Sequence, residues 1–164
     1  MDGYSLSKIK SRKEITSLVE ELKRKKKKIV FTNGCFELLH PGHIELLEKA
    51  KSLGDVLIVG VNSDSSVEKI KGKKKLILDE NSRARVIASV GVVDYVVIFD
   101  ESTPEELIRD IKPHIHVKGG DYRVEDLPEA KIVKSYGGEV VIIPLHEDFS
   151  TTKIIERILF LYKE

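Results

Sequence analysis

The chain of 164 residues has one cysteine, one methionine, and no tryptophan or glutamine. A single thiol, Cys35, excludes an intrachain disulfide and fits a reducing compartment, so the expected location is cytoplasmic. No apolar run approaches the roughly 20 residues of a membrane-spanning helix. Residues 1–11 lack the apolar core of a signal peptide, and no membrane partner is expected. A dominant charge sign is missing too: 28 Lys and Arg against 27 Asp and Glu leave a net +1. That balance argues against nucleic acid as the main partner. The basic run at 23–28 (KRKKKK) follows Glu20-Glu21 at the end of a helical pattern, where cations complement the helix dipole. A patch for nucleic acid or membrane is the alternative reading of that run. Charged residues reach 34%, above the roughly 25% of ordinary chains, a weak pointer to a heat-adapted source.

What is present is a helix–strand alternation. The length and 41% hydrophobic content suit one domain over 1–164, with an N-terminal helix at about 8–26 as an extension. Ile15, Val19 and Leu22 form a helical stripe, and 28–31 reads as the first strand. Ile44, Leu47, Ala50 and Leu53 repeat every three residues and predict a helix closed by Gly54. The nearly all-apolar run 56–61 suits a parallel strand covered on both faces. A short helix is expected over 64–70, then a lysine-rich loop over 71–75, then a helix capped by Ser82 and running to about Val90. Tyr95 to Phe99 is another apolar strand. Thr103, Pro104 and Glu106 read as a capping box with proline at the first helical position. Strands at 115–117 and 139–143, a helix at 130–136 and a last helix after Ser150-Thr151-Thr152 complete the pattern. Five strands alternating with helices predict an α/β doubly wound parallel sheet.

The most informative stretch is TNGCFELLHPGH at 32–43. A strand runs into a glycine-bearing turn, and His40 and His43 straddle Pro41-Gly42 before an amphipathic helix. Unpaired N–H groups and the dipole at a helix N-terminus attract phosphate, and Gly42 permits close backbone approach. Two imidazoles aimed at the same anion suggest phosphate chemistry. A metal pair is the alternative, but a third ligand cluster is missing; satisfied structural histidines are the other. His114, His116 and His146 carry no motif and read as surface or packing residues.

In such sheets ligands bind at the carboxyl ends of strands, and the unusual residues lie there. Asn33 and Gly34 follow the first strand, Asn62-Ser63-Asp64 the second, Lys118-Gly119-Gly120-Asp121-Tyr122 the fourth, and Ser150-Thr151-Thr152-Lys153 the fifth. Gly119-Gly120 read alone is a turn, and Ser150-Thr151-Thr152 read alone is an N-cap. Their joint occurrence at strand ends favours one binding edge. Cys35 reads as a small loop residue near the ligand, because no helper base accompanies it.

HPGH after a strand, with STTK opening the last helix, resembles the HxGH nucleotidyltransferase superfamily and its cytidylyltransferase-like branch. TNGCFELLHPGH, VNSDSSVEKIKG (61–72), VVDYVVIFDESTPEELI (92–108), VKGGDY (117–122) and PLHEDFSTTKIIERI (144–158) together resemble the adenylyltransferase domain acting on D-glycero-β-D-manno-heptose 1-phosphate. The resemblance runs from about residue 9 to the C-terminus. Many relatives fuse this domain to a sugar kinase, so a stand-alone form is expected here. Relatives usually carry Asp where this chain has Glu37.

The resemblance implies a Rossmann-like nucleotidyltransferase fold and transfer of AMP from ATP to the heptose 1-phosphate, giving ADP-heptose and pyrophosphate for lipopolysaccharide or surface-glycan assembly. It implies catalytic roles for His40, His43 and Lys71. Nucleotide contacts would come from Asn33, Gly34, Cys35, Phe36, Gly42, Gly119, Gly120, Asp121, Ser150, Thr151 and Thr152. Asn62, Asp64 and Arg83 are softer candidates on the substrate side, with Arg83 for phosphate. Mg2+ would arrive with ATP and take no dedicated protein cage. The implied partners are ATP, a sugar 1-phosphate and a second copy in a homodimer. Within the same fold, glycerol-3-phosphate cytidylyltransferase and FMN adenylyltransferase are the alternatives. A non-catalytic nucleotide-binding module is the alternative of another class, although the chain lacks the G-x-G-x-x-G of dinucleotide binders.

Overall fold

The computed structural model describes residues 3–73, 76–146 and 148–163. Its elements alternate as α1 (Arg12–Arg24), β1 (Ile29–Gly34), α2 (Pro41–Ser52), β2 (Val56–Asn62), α3 (Asp64–Lys71), α4 (Glu80–Ala88), β3 (Tyr95–Phe99), α5 (Glu105–Ile111), β4 (Ile115–Gly119), α6 (Ala130–Ser135), β5 (Glu139–Ile143) and α7 (Thr151–Leu161). The strands form one parallel sheet in the order β3-β2-β1-β4-β5. Phe31 at its centre lies opposite Ile58 on one side and His116 on the other. From β1 the chain moves outward to β2 and β3, then crosses back to β4 and β5. The order therefore reverses between β1 and β4, which opens a crevice at their carboxyl ends. This is the doubly wound sheet expected from the sequence.

Both faces are covered, as parallel sheets require. Strand alternation sends Val30, Val59, Val61 and Val117 under α2 and α4, against Leu46, Leu47, Ala84 and Ile87. It sends Ile29, Phe31, Ile58, Val97 and Phe99 to the other face, against Ile15 and Val19 of α1, Leu107 and Ile108 of α5, and Val133 of α6. Each fully buried side chain of this size contributes about 1.5–3 kcal/mol. Because α2 and α6 lie on opposite faces, the crevice has an α2 wall and an α6 wall.

Several boundaries differ from the sequence reading. Ser11 Oγ accepts from Glu14 N–H and Glu14 accepts from Ser11 N–H, so α1 starts at Arg12. Ile9 instead bridges to Val96 beside β3. Lys23, in the basic run, donates to the carbonyls of Ile111 and Lys112 at the end of α5. Asp79, not Ser82, caps α4, because its carboxylate accepts from the amides of both Asn81 and Ser82. The Thr103–Glu106 capping box does not form; Thr103 Oγ1 donates to Glu105, and Glu106 pairs with Arg109. β1 continues past Phe31 because Thr32 Oγ1 finds the Val117 carbonyl at 2.9 Å, which makes a buried polar residue tolerable. Residues 74 and 75 of the expected lysine-rich loop, and Glu147 in the stretch before Ser150, lie outside the described residues. α7 buries none of its residues.

Candidate active site

The α2 wall starts at His40, the N-cap residue, with Pro41 in the first turn, where a missing N–H removes no helical bond. The rings of His40 and His43 stack with centroids 3.7 Å apart and planes 24° from parallel. His40 backbone N–H donates to His43 Nδ1 at 3.3 Å. That bond leaves the ring hydrogen of His43 on Nε2. Phe36 meets His43 edge-on at 5.4 Å, from a left-handed backbone (φ 49°) rare outside glycine. Burial lowers His43 to about 4, with repulsion from His40 adding to it, and burial also lowers His40. At neutral pH the pair therefore offers neutral N–H donors and no formal charge.

The last helix comes to this pair. Phe149 lies nearly parallel to the His40 ring at 6.4 Å. A Cβ on Gly42 would meet the His40 ring at 3.0 Å and Phe149 at 3.4 Å. The next residue, Ser150, caps α7 by accepting from Lys153 N–H at 3.1 Å. Two helix N-termini, those of α2 and α7, thus sit beside the imidazoles. A groove of about 640 Å³ opens beside His40, lined also by Leu39, Pro41, Ile44, Glu45 and Glu48.

The β4 loop forms the other wall. Gly119 lies under Leu46 of α2, where a Cβ would meet that side chain at 3.0 Å. Gly120 has φ 129°, and a Cβ there would come within 2.7 Å of the Tyr122 ring. Its N–H donates to the Ile143 carbonyl, tying the loop to β5. Asp121 is exposed. Asn33, at the end of β1, has a buried side-chain oxygen without a hydrogen-bond partner among the described residues.

The residues read as substrate contacts form a clasp instead. Arg83 is fully buried, and its guanidinium donates to the carbonyls of Leu78, Cys35 and Asn62 and to the Asp64 carboxylate. Asn62 also donates to Ser66 Oγ. With four bonds to the protein and no exposed surface, Arg83 fixes loops and does not face a ligand. Glu37, 7% exposed, accepts from the amides of Ile77 and Leu78, each at 2.8 Å. Lys71 is exposed in the last turn of α3, and no described contact joins it to the histidines.

Sequence reasoning passed over a buried group on the α6 wall. His116 Nε2 lies 3.1 Å from Glu129 Oε1, and Lys118 Nζ lies 3.7 Å from the same oxygen. Burial pushes the Glu129 carboxyl up, but the His116 hydrogen bond and the Lys118 charge outweigh it and hold it below the usual value. The available signal was alternation: His116 and Lys118 interleave with Ile115 and Val117 in a strand that must be covered on both faces. Of the other motifless histidines, His114 Nδ1 accepts from Ile29 N–H, and His146 pairs with Glu45 at the surface. Among the described residues no three His, Cys, Asp or Glu side chains gather as a metal site. No described helix is long and apolar enough to cross a membrane.

Comparisons with known proteins agree with this fold. The cytidylyltransferase-like family profile matches residues 31–157. The bifunctional protein HldE of Pelobacter propionicus is 51% identical over 156 residues, covering 95% of this chain and 32% of that protein. The bifunctional protein HldE of Koribacter versatilis is 52% identical over 151 residues, 92% of this chain and 31% of that one. The chain thus spans roughly a third of the length of the curated relatives it matches. The lipopolysaccharide core biosynthesis protein of Thermoplasma volcanium superposes with a TM-score of 0.60 at 32% identity, covering 73% of this chain and 97% of that one. Pantoate-beta-alanine ligase of Francisella tularensis, complexed with Beta-gamma ATP and beta-alanine, has a TM-score of 0.62 at 18% identity over 95% of this chain and 79% of its own, a likeness of fold alone.

Proposed function

The chain belongs to the cytidylyltransferase-like family, and on that premise we propose that it transfers AMP from ATP to D-glycero-β-D-manno-heptose 1-phosphate. An oxygen of the sugar phosphate attacks the α-phosphorus of ATP. A new P–O bond forms, the bond to the β-phosphate oxygen breaks, and pyrophosphate leaves with ADP-heptose as the other product. The attacking phosphate is already anionic, so no protein nucleophile or base is required. Catalysis then comes from positioning and from donors aimed where charge develops.

The observation that carries this reading is the stacked, neutral imidazole pair beside the Phe149–Ser150 turn at the crevice. His43 Nε2–H and the His40 ring donate to the phosphates around the scissile bond. The amides opening α2 and α7, with the hydroxyls of Ser150, Thr151 and Thr152, take the β- and γ-phosphates. Gly119, Gly120 and Asp121 line the nucleoside side, with Asn33, Gly34, Cys35 and Phe36 beneath the nucleotide. Asn62 and Asp64 act through the Arg83 clasp that shapes this floor. Lys71 reaches phosphate from α3 when substrate is bound. Magnesium held on the triphosphate supplies divalent charge that the neutral histidines do not.

The HldE relatives and the lipopolysaccharide core protein support a role in heptose supply for surface glycan, in the cytoplasm where ATP is made available. The exposed apolar residues of α7, from Ile158 to Leu161, support a homodimer. The test is a pyrophosphate-release screen over ATP and CTP against heptose 1-phosphate, glycerol 3-phosphate and FMN. Release with ATP and the heptose is the expected result. Brisk release only with CTP and glycerol 3-phosphate contradicts it.

A further inference from the structure

His116 and Lys118 leave β4 on the face covered by α5 and α6, and strand alternation puts Phe31 and Asn33 of β1 on that same face. Phe31 stacks on His116 with centroids 5.6 Å apart. One alternation nearer the carboxyl edge, Asn33 and Lys118 stand at the ends of adjacent strands, where the crevice opens. Behind them Glu129 is 2% exposed and His116 is fully buried. Lys118 keeps 23% of its side chain open, its ammonium 5.4 Å from the centre of the Tyr122 ring.

An ionised carboxylate taken out of water costs several kcal/mol before it is paired. A packing role alone would be filled more cheaply by an apolar side chain. Glu129 does more than pack: its hydrogen bond comes from His116, while Lys118 at 3.7 Å is held by charge outside hydrogen-bond range. The ammonium is thus restrained without using up its three donors. Asn33 Oδ1 and His116 Nδ1, both buried, lack partners among the described residues.

Charge balance gives the lysine a task. The histidines across the crevice bring donors and no formal charge. In an in-line displacement the entering oxygen approaches opposite the departing pyrophosphate. With pyrophosphate leaving on the α2 and α7 side, the acceptor comes from the α6 face of β4, where Lys118 stands, while the next residue, Gly119, faces α2 and the nucleoside. We propose that Lys118 is the cation for the acceptor's phosphate and that Glu129, bonded to His116, is the residue that positions it. The proposal rests on the nucleotidyl-transfer reading above and extends it to residues that reading leaves unused.

The test is steady-state kinetics on the full chain, with ATP binding measured separately by calorimetry. Lys118→Met raises the acceptor KM about tenfold to a hundredfold, the size of a lost charged hydrogen bond. It leaves the ATP Kd within about twofold, because the two phosphate sites lie on different walls. Lys118→Arg restores most of the acceptor affinity, which a purely structural lysine would not require. Glu129→Gln raises the acceptor KM in the same direction. If that variant fails to fold, the Lys118→Met and Lys118→Arg pair decides alone. An unchanged acceptor KM in Lys118→Met, or an ATP Kd weakened as much as the acceptor KM, overturns the proposal. Should the wild type use another sugar phosphate, the heptose assignment falls and the same comparison is made with that acceptor. Should it release no pyrophosphate with any pair, the transfer reading falls. Calorimetric binding of glycerol 3-phosphate and heptose 1-phosphate then decides: tighter binding by wild type than by Lys118→Met upholds the proposal, and equal or absent binding overturns it.

Discussion

The guanidinium of Arg83 lies 2.7 Å from the carbonyl oxygen of Cys35, and none of the arginine is exposed. The same nitrogen donates to Asn62, and the others reach Leu78 and Asp64, so three loops share one cation. Arg83→Met leaves those carbonyls unpaired and is expected to cost about 3–5 kcal/mol in urea unfolding. Arg83→Lys recovers little, because an ammonium cannot reproduce the planar fork. A loss below about 1 kcal/mol contradicts the clasp.

His43 tests catalysis against mere binding. His43→Ala should lower kcat about 10²–10³-fold, the usual cost of removing one donor to developing charge. ATP should still bind, since two helix N-termini and the hydroxyl turn remain. Turnover within a few-fold of wild type, with nucleotide still bound, would contradict the catalytic assignment of His43.

Nucleotide binding should be linked to protons. Burial holds His43 near 4 and keeps His40 below its ordinary value, so His43 is neutral in the free protein at pH 6. A bound triphosphate favours the charged form and raises both, so binding at pH 6 takes up protons and the uptake fades toward pH 8. Calorimetry in buffers of different ionisation enthalpy reads this directly. In the free protein the sign for stability follows: between about 6.5 and about 4 the unfolded chain binds protons that folded His43 refuses, so stability falls as pH drops through that window. A binding heat independent of buffer contradicts the assignment.

Gly42→Ala puts a methyl group 3.0 Å from the His40 ring. The ring must turn, and kcat should fall about tenfold or more, the effect of displacing a catalytic donor by a fraction of an ångström. Unfolding should change little, because alanine suits a helix first turn better than glycine. Full activity in this variant would remove His40 from the site.

Much of this was readable beforehand, for identifiable reasons. The strand at Val56–Asn62 is apolar on both faces, and Pro41 at a helix start fixes where α2 begins; such local signals survive folding. The HPGH and STT segments were separately ambiguous, and only the sheet order brings Phe149 to His40. Arg83 was misread as a ligand contact because a cation near a substrate loop resembles one; that all its acceptors are protein groups is a long-range fact. The Glu129–His116 pair spans 13 residues and depends on β4 facing α6, which spacing alone does not encode.

The C-terminal helix supplies a prediction about assembly. Phe160 is 70% exposed and follows Ile158 and Leu159, both also open to solvent. In light scattering the wild type should have twice the chain mass, and Phe160→Asp should have one chain mass with unchanged unfolding. A monomeric wild type contradicts pairing through α7.

The most direct test of the central claim, a single displacement at the α-phosphorus, is exchange of labelled pyrophosphate into ATP with and without the acceptor. The account predicts exchange only when ADP-heptose or heptose 1-phosphate is present, since no protein group accepts AMP. Exchange with ATP and pyrophosphate alone would reveal an adenylylated enzyme and contradict it.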